Sequence, residues 1–231
     1  MTPADLPCAL PFDHLPTDAL PPDTPSKPTR PRQLVLGSTS RYRRELLDRL
    51  NTPFDVASPD VDETPLAGEA PPAIALRLAL AKANAVAAKY PQAIVIGSDQ
   101  VADLNGLALG KPGNHQRAVE QLRLMRGQMV IFQTAVAVVC LETGFAQCEL
   151  AAVRVQFRDL SDREIEHYLR TEQPYDCAGS AKSEGLGIAL LAAIHSDDPT
   201  ALIGLPLIRT CGLLRKAGLD VLDMLHLRPA A

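Results

Sequence analysis

Tryptophan is absent from this 231-residue chain, and aromatic residues make up only 4% of it, so an aromatic beside polar chemistry stands out. The five cysteines are Cys8, Cys140, Cys148, Cys177 and Cys211. Their number is odd, their spacing is wide and no C-x-x-C occurs, which indicates neither a disulfide framework nor a zinc site. They read mostly as core thiols of a protein in a reducing cytosol. No apolar run approaches the roughly 18 residues that a membrane helix requires, and no basic-then-apolar leader opens the chain. The expectation is a cytoplasmic protein with no membrane partner. An excess of basic charge is lacking too: Lys plus Arg is 23, Asp plus Glu is 27 and the net charge is −4. This argues against nucleic acid as a partner, because such binding needs a basic surface to displace counterions. A local basic pocket for one small anion remains open.

Several motifs are missing as well. There is no G-x-x-x-x-G-K-[ST], no G-x-G-x-x-G and no G-x-S-x-G, so P-loop, Rossmann and serine-hydrolase readings fail. His14, His115, His167, His195 and His226 show no metal-ligand spacing and read as structural or surface groups.

The length allows one large domain or two small ones. Nine of the 20 prolines fall within residues 1–31. Proline joins neither a helix ladder nor a central strand, so this segment reads as a disordered tail of polyproline II character. A single domain over residues 32–225 follows, with a short tail at 226–231.

Leu34-Val35-Leu36-Gly37 is a short apolar run that fits a buried strand. Ser38-Thr39-Ser40 follows, and a helix is expected over Arg41–Leu50 with Ser40 as its N-cap. Helices are further expected over residues 73–90, 114–126, about 162–170 and 206–216. Strands are expected over residues 93–97, 130–141, 147–157 and 188–194, with an Asn-Gly turn at 105–106. Helices alternate with strands, and some strands look like antiparallel neighbours. The class is α/β with a mixed sheet. Ligands in such sheets favour the carboxyl ends of strands. The turns after residues 37 and 97 are then candidates to face one cleft.

The residues able to do chemistry gather near those turns. Ser38, Thr39 and Ser40 offer hydroxyls and unpaired N–H groups at a helix N-terminus, an anion-binding geometry. Arg43 and Arg44 lie in the first turn, where a cation opposes the helix dipole unless an anion joins it. Asp60, Asp62 and Glu63 cluster in a Pro-bounded loop, and Asp99 follows an apolar strand. Such carboxylates suit Mg²⁺ in company with phosphate oxygens, or a base for an attacking water. Lys82, Lys111 and Lys182 could supply compact charge for phosphate.

In order along the chain, these residues resemble the Maf family of nucleoside triphosphate pyrophosphatases. The resemblance runs from Leu36-Gly37-Ser38-Thr39-Ser40 and Arg43-Arg44-Glu45-Leu46-Leu47 through Asp60-Val61-Asp62-Glu63. It continues through Arg77-Leu78-Ala79, Lys82-Ala83, Gly97-Ser98-Asp99-Gln100-Val101 and Gly110-Lys111-Pro112. It closes with residues 177–185, CAGSAKSEG, and with Gly204-Leu205-Pro206. It covers about residues 33–222.

What the resemblance implies is a two-lobed Maf/ITPase-like fold, often dimeric, with a central mixed sheet, flanking helices and a cleft between lobes. It implies hydrolysis of a nucleoside triphosphate to monophosphate and diphosphate with a divalent metal, Mg²⁺ or Mn²⁺. Asp99 matches the family's proton acceptor, and Glu63 and Asp99 would serve metal and water. Ser38, Ser40 and Arg43 would hold phosphate, with Lys82, Lys111 and Lys182 neutralising the phosphate chain. The sequence looks closest to the subgroup acting on 7-methyl-GTP, which usually carries Pro-Trp-Arg-Arg where this chain has Arg41-Tyr42-Arg43-Arg44. An aromatic at residue 42 suits a methylated guanine, because that base is cationic. Glu184 would accept the guanine N–H donors, with Gln100 as a second reader. The alternatives are a pyrophosphatase for dTTP and UTP or for a broader set of modified nucleotides, and a nucleotide-binding inhibitor of septum formation without turnover.

Overall fold

The computed structural model describes residues 32–225. The proline-rich segment 1–31 and the tail 226–231 lie outside the described residues. The strands are β1 (Leu34–Gly37), β2 (Asp55–Ala57), β3 (Ile94–Leu104), β4 (Leu107–Leu109), β5 (Met129–Cys140), β6 (Phe145–Phe157) and β7 (Leu191–His195). The helices are α1 (Arg41–Asp48), α2 (Pro71–Ala87), α3 (His115–Met125), α4 (Asp162–Glu172), α5 (Leu207–Lys216) and α6 (Val221–Leu225). The strands form one mixed sheet ordered β2-β1-β3-β5-β6-β7, with β4 beside β3. β1 runs parallel to β2 and β3, and the pairs from β3 through β7 are antiparallel. This is the expected α/β class with a mixed sheet flanked by helices.

All four residues of β1 are buried, as a strand covered on both faces requires. On one face α2 packs Ile74, Leu78 and Val86 against Val35 and Val95. On the other face Leu46 and Leu47 of α1, with Leu213 and Leu214 of α5, pack against Leu36, Ile94 and Ile96. These two layers make the first lobe. A third core makes the second lobe, where Leu122 and Met125 of α3 and Ile165 and Leu169 of α4 meet Phe132 and Phe157.

Three local expectations change. The strand expected to end at Gly97 continues to Leu104, because β5 goes on pairing with it as far as Asp103↔Ile131. Ser98-Asp99-Gln100 is therefore mid-strand, although its polarity looks like a turn. Residues Leu186–Leu190 form a 3₁₀ turn rather than the start of a strand. Pairing with β6 begins only at Leu191, and before it the backbone folds so closely that a Cβ at Gly187 would lie 2.4 Å from the Lys182 carbonyl oxygen. Of the described cysteines only Cys140 is a core thiol; Cys148, Cys177 and Cys211 are half-buried.

Candidate active site

β1 stops opposite Gly97 (Gly37↔Gly97), whereas β4 joins β3 only at Ala102. Residues Ser98–Val101 thus present an edge of β3 that no strand among the described residues covers on that side. Side chains from both faces of the sheet can reach this gap, the usual place for a ligand in an α/β sheet. A cleft of about 660 Å³ lies there, lined from both lobes. That is within the range of small-molecule sites.

The α2 face supplies the charged centre. Gly97 points at α2, and a Cβ there would lie 2.3 Å from the Ala79 carbonyl oxygen and 2.5 Å from the Ala83 nitrogen. Glycine at 97, with alanines at 79 and 83, therefore lets α2 sit directly on β3. Lys82, 4% exposed, then reaches the Asp99 Oδ1 at 2.7 Å and the Glu63 Oε1 at 2.8 Å. Asp99 is itself 7% exposed, and the ion pair offsets the cost of burying both charges. Burial alone would push the Glu63 carboxyl up. The hydrogen bond and charge of Lys82, with Lys111 and Arg43 behind them, outweigh it and hold the carboxyl below its ordinary value.

The opposite face supplies the arginine. Ser40 caps α1 by accepting from the Arg43 backbone N–H. The Arg43 side chain donates from Nε to the Gly204 carbonyl at 2.8 Å and from Nη1 to the Ser38 Oγ at 3.4 Å. Ser98 donates to the same Gly204 carbonyl at 2.9 Å. Burial lowers the Arg43 pKa while Asp99 and Glu63 raise it, so arginine and carboxylates act on one another across the gap. The Gly204 loop is anchored by Asp198, which is fully buried. Its Oδ2 accepts from the Ile208 N–H at 2.9 Å at the start of α5, and its Oδ1 from the Thr200 hydroxyl at 2.9 Å.

Away from this centre the cleft changes character. Tyr42, Cys177, Asp176 and Glu184 line it. Glu184 is exposed as a residue, yet desolvation of its carboxyl pushes the pKa up against the pull of Lys182. Desolvation also raises the Tyr42 phenol and, helped by Asp176, pushes the Cys177 thiol up to about 12, so that thiol stays neutral at pH 7.

Ten of the eleven site residues expected from sequence line this one cleft: Ser38, Ser40, Tyr42, Arg43, Glu63, Lys82, Asp99, Gln100, Lys111 and Glu184. Lys182 is not among the lining residues; its ammonium pairs with Glu172. Gln100 lines the cleft, but its Nε2 faces three acceptors, Thr134 Oγ1 at 2.9 Å and the Ala201 and Leu202 carbonyls at 3.0 Å. Its two N–H donors hold the cleft wall, which leaves its carbonyl oxygen for a ligand. Arg41, Asp176 and the Gly204 carbonyl were not anticipated. The DCAGS stretch could have flagged Asp176 by adjacency, whereas a backbone carbonyl has no signature in sequence.

Two carboxylates converging on the Lys82 ammonium, with Arg43 and Lys111 close by, fit a divalent ion that takes its other ligands from phosphate oxygens and water. Among the described residues no cluster of three or more His, Cys, Asp or Glu could hold a metal without such help. No helix among the described residues is long and apolar enough to cross a membrane.

Residues 33–217 match the family model described as Maf-like protein. The chain belongs to the Maf family. It is 75% identical over 187 residues to the 7-methyl-GTP pyrophosphatase of Polaromonas sp. (strain JS666), covering 81% of this chain and 85% of that protein. It is 70% identical over 191 residues to the 7-methyl-GTP pyrophosphatase of Albidiferax ferrireducens, covering 83% and 96%. A third relative of the same description, from Cupriavidus pinatubonensis, is 59% identical over 186 residues, covering 80% and 94%. The matched region of this Maf-family chain contains every residue of the cleft.

Proposed function

We propose that this chain is a nucleoside triphosphate pyrophosphatase that hydrolyses 7-methyl-GTP to 7-methyl-GMP and diphosphate. The observation that carries the reading is the joining of two chemistries in one cleft. The Lys82–Asp99–Glu63 cluster with Arg43 and Lys111 lies at one end, and Tyr42 with Glu184 at the other. The name shared by relatives 59–75% identical supports the same substrate.

Water attacks the α-phosphorus, the bond from that phosphorus to the bridging oxygen breaks, and diphosphate leaves. Negative charge grows on the equatorial and leaving oxygens. Lys82 is held by Asp99 and Glu63, and Arg43 by the Gly204 carbonyl and Ser38, so both charges need no reorganisation, and the exposed Lys111 adds a third from the cleft lining. Asp99, held in place by Lys82, orients the water and accepts its proton. Glu63 and Asp99 would hold a divalent cation together with substrate oxygens, and that ion would supply Lewis-acid neutralisation of the phosphates.

At the other end the positive charge of a 7-methylated guanine favours the Tyr42 ring and the Glu184 carboxylate, which accepts the base's N–H donors as a charge-assisted pair. The uncovered Gln100 carbonyl adds a further acceptor. Diphosphate release from 7-methyl-GTP, GTP, dTTP, UTP, CTP and ITP with Mg²⁺ or Mn²⁺ tests the reading. Preference for 7-methyl-GTP is expected. Preference for dTTP or UTP overturns the base assignment, and silence on the whole panel overturns the enzyme.

A further inference from the structure

Arg41 opens α1 and is exposed. A cation in the first turn opposes the helix dipole, and adjacent helical residues do not naturally face one another. Even so, the Arg41 side chain folds back over its neighbour. Its guanidinium carbon lies 4.7 Å from the centroid of the Tyr42 ring, and Nη2 donates to the Tyr42 hydroxyl at 2.7 Å. Asp176 and Glu45 add attraction from the side. The aromatic and acidic end of the cleft thus already contains a tethered planar cation. Lys182, the other cation nearby, is tied to Glu172.

We propose that Arg41 sets the selectivity of this site by standing in for the positively charged base, competing with it for the Tyr42 ring and for the attraction of the Asp176 carboxylate. The inference rests on the reading of 7-methyl-GTP as substrate. A guanine methylated at N7 carries a fixed positive charge, so it meets both the occupied π-face and the repulsion of the guanidinium. Neutral guanine meets neither effect to the same degree. Both triphosphates engage the Arg43, Lys82 and Lys111 end alike, so the ratio of their affinities isolates the contribution of Arg41.

The test uses the α,β-methylene analogues of 7-methyl-GTP and GTP, which cannot be cleaved, titrated calorimetrically into the full chain. Arg41→Gln and Arg41→Ala are expected to shift the affinity ratio toward the methylated analogue by about three- to tenfold, the range of a cation–π contact between exposed and partly desolvated sites. The position is exposed, so both variants should fold; circular dichroism checks this. A ratio unchanged within about twofold in both variants, a shift toward the unmethylated analogue, or failure of both analogues to bind the wild type overturns the proposal. Because binding is read without turnover, absence of diphosphate release would count against the proposed hydrolysis and leave this ratio readable.

Discussion

Lys82 reaches Asp99 across 2.7 Å because the residue beneath α2 is Gly97. The helix carries alanine at 79 and 83 where it crosses the strand, and a Cβ at residue 97 would strike backbone atoms of both. Close packing and catalytic geometry are one arrangement here: the spacing that buries α2 also sets the reach of the lysine. Gly97→Ala should therefore force α2 outward. Overpacking of this kind costs about 1–3 kcal/mol, and the Lys82–Asp99 contact should loosen with it. Denaturant unfolding together with diphosphate release checks this. Wild-type stability with wild-type turnover would show that the helix does not need the glycine.

Asp99 occupies the middle of β3, 7% exposed, with one carboxylate oxygen on Lys82. Asp99→Asn keeps the shape and removes the proton acceptor. Turnover is expected to fall by about 10²–10⁴-fold, the usual contribution of general base catalysis. Nucleotide binding should persist, because Arg43 and Lys111 remain and Lys82 keeps Glu63 as partner. Unchanged turnover would remove Asp99 from the mechanism.

Much of this is legible in the sequence. The apolar run 34–37, the hydroxyl turn after it and the capping residue Ser40 define β1 and α1 by local rules, and all three stand. The helix expected over about residues 162–170 is α4, which a Ser161–Glu164 capping box opens. The end of β3 was not legible, since polarity at Ser98-Asp99-Gln100 mimics a turn and only pairing with β5 decides it. The role of Lys182 was not legible either. Its competitor for phosphate is Glu172, ten residues back on α4, and nothing local connects the two. Motif order located the cleft, whereas tertiary partners decided which charges are free within it.

Tyr42 stands in the cleft in a chain that has no tryptophan. Tyr42→Ala removes the ring and the seat of Arg41 together. Use of 7-methyl-GTP should fall more than use of GTP, by about three- to tenfold in the ratio of kcat/KM. An equal loss on both substrates would mean that the ring only packs against its neighbours.

Lys182 gives the last prediction. Glu172 pairs with its ammonium through Oε1 and accepts the Leu186 N–H through Oε2 at 2.8 Å. The carboxylate thereby clamps both ends of the short segment that carries Glu184, and a Cβ at Gly185 would lie 2.7 Å from the same Oε2. Lys182→Met should lower stability by about 1–3 kcal/mol, the cost of leaving a mostly buried charge without its partner. It should also blur base selectivity through Glu184, while Lys111→Met lowers turnover on every substrate. The hydrogen bond to Lys182 holds Glu172 below its ordinary value of 4.5. Its contribution is therefore complete above pH 4.5 and disappears as pH falls through the lowered value. Lys182 is raised above 10.5 by the same bond, so its contribution is complete below 10.5 and is lost as pH rises through the raised value. The stability gap between wild type and Lys182→Met should be full at neutral pH and close in acid. Thermal unfolding of both proteins at neutral pH and well below pH 4.5 reads the gap directly. If it kept its size in acid, the lysine would act by packing its stem rather than through the Glu172 carboxylate, and its influence on Glu184 would need no charge.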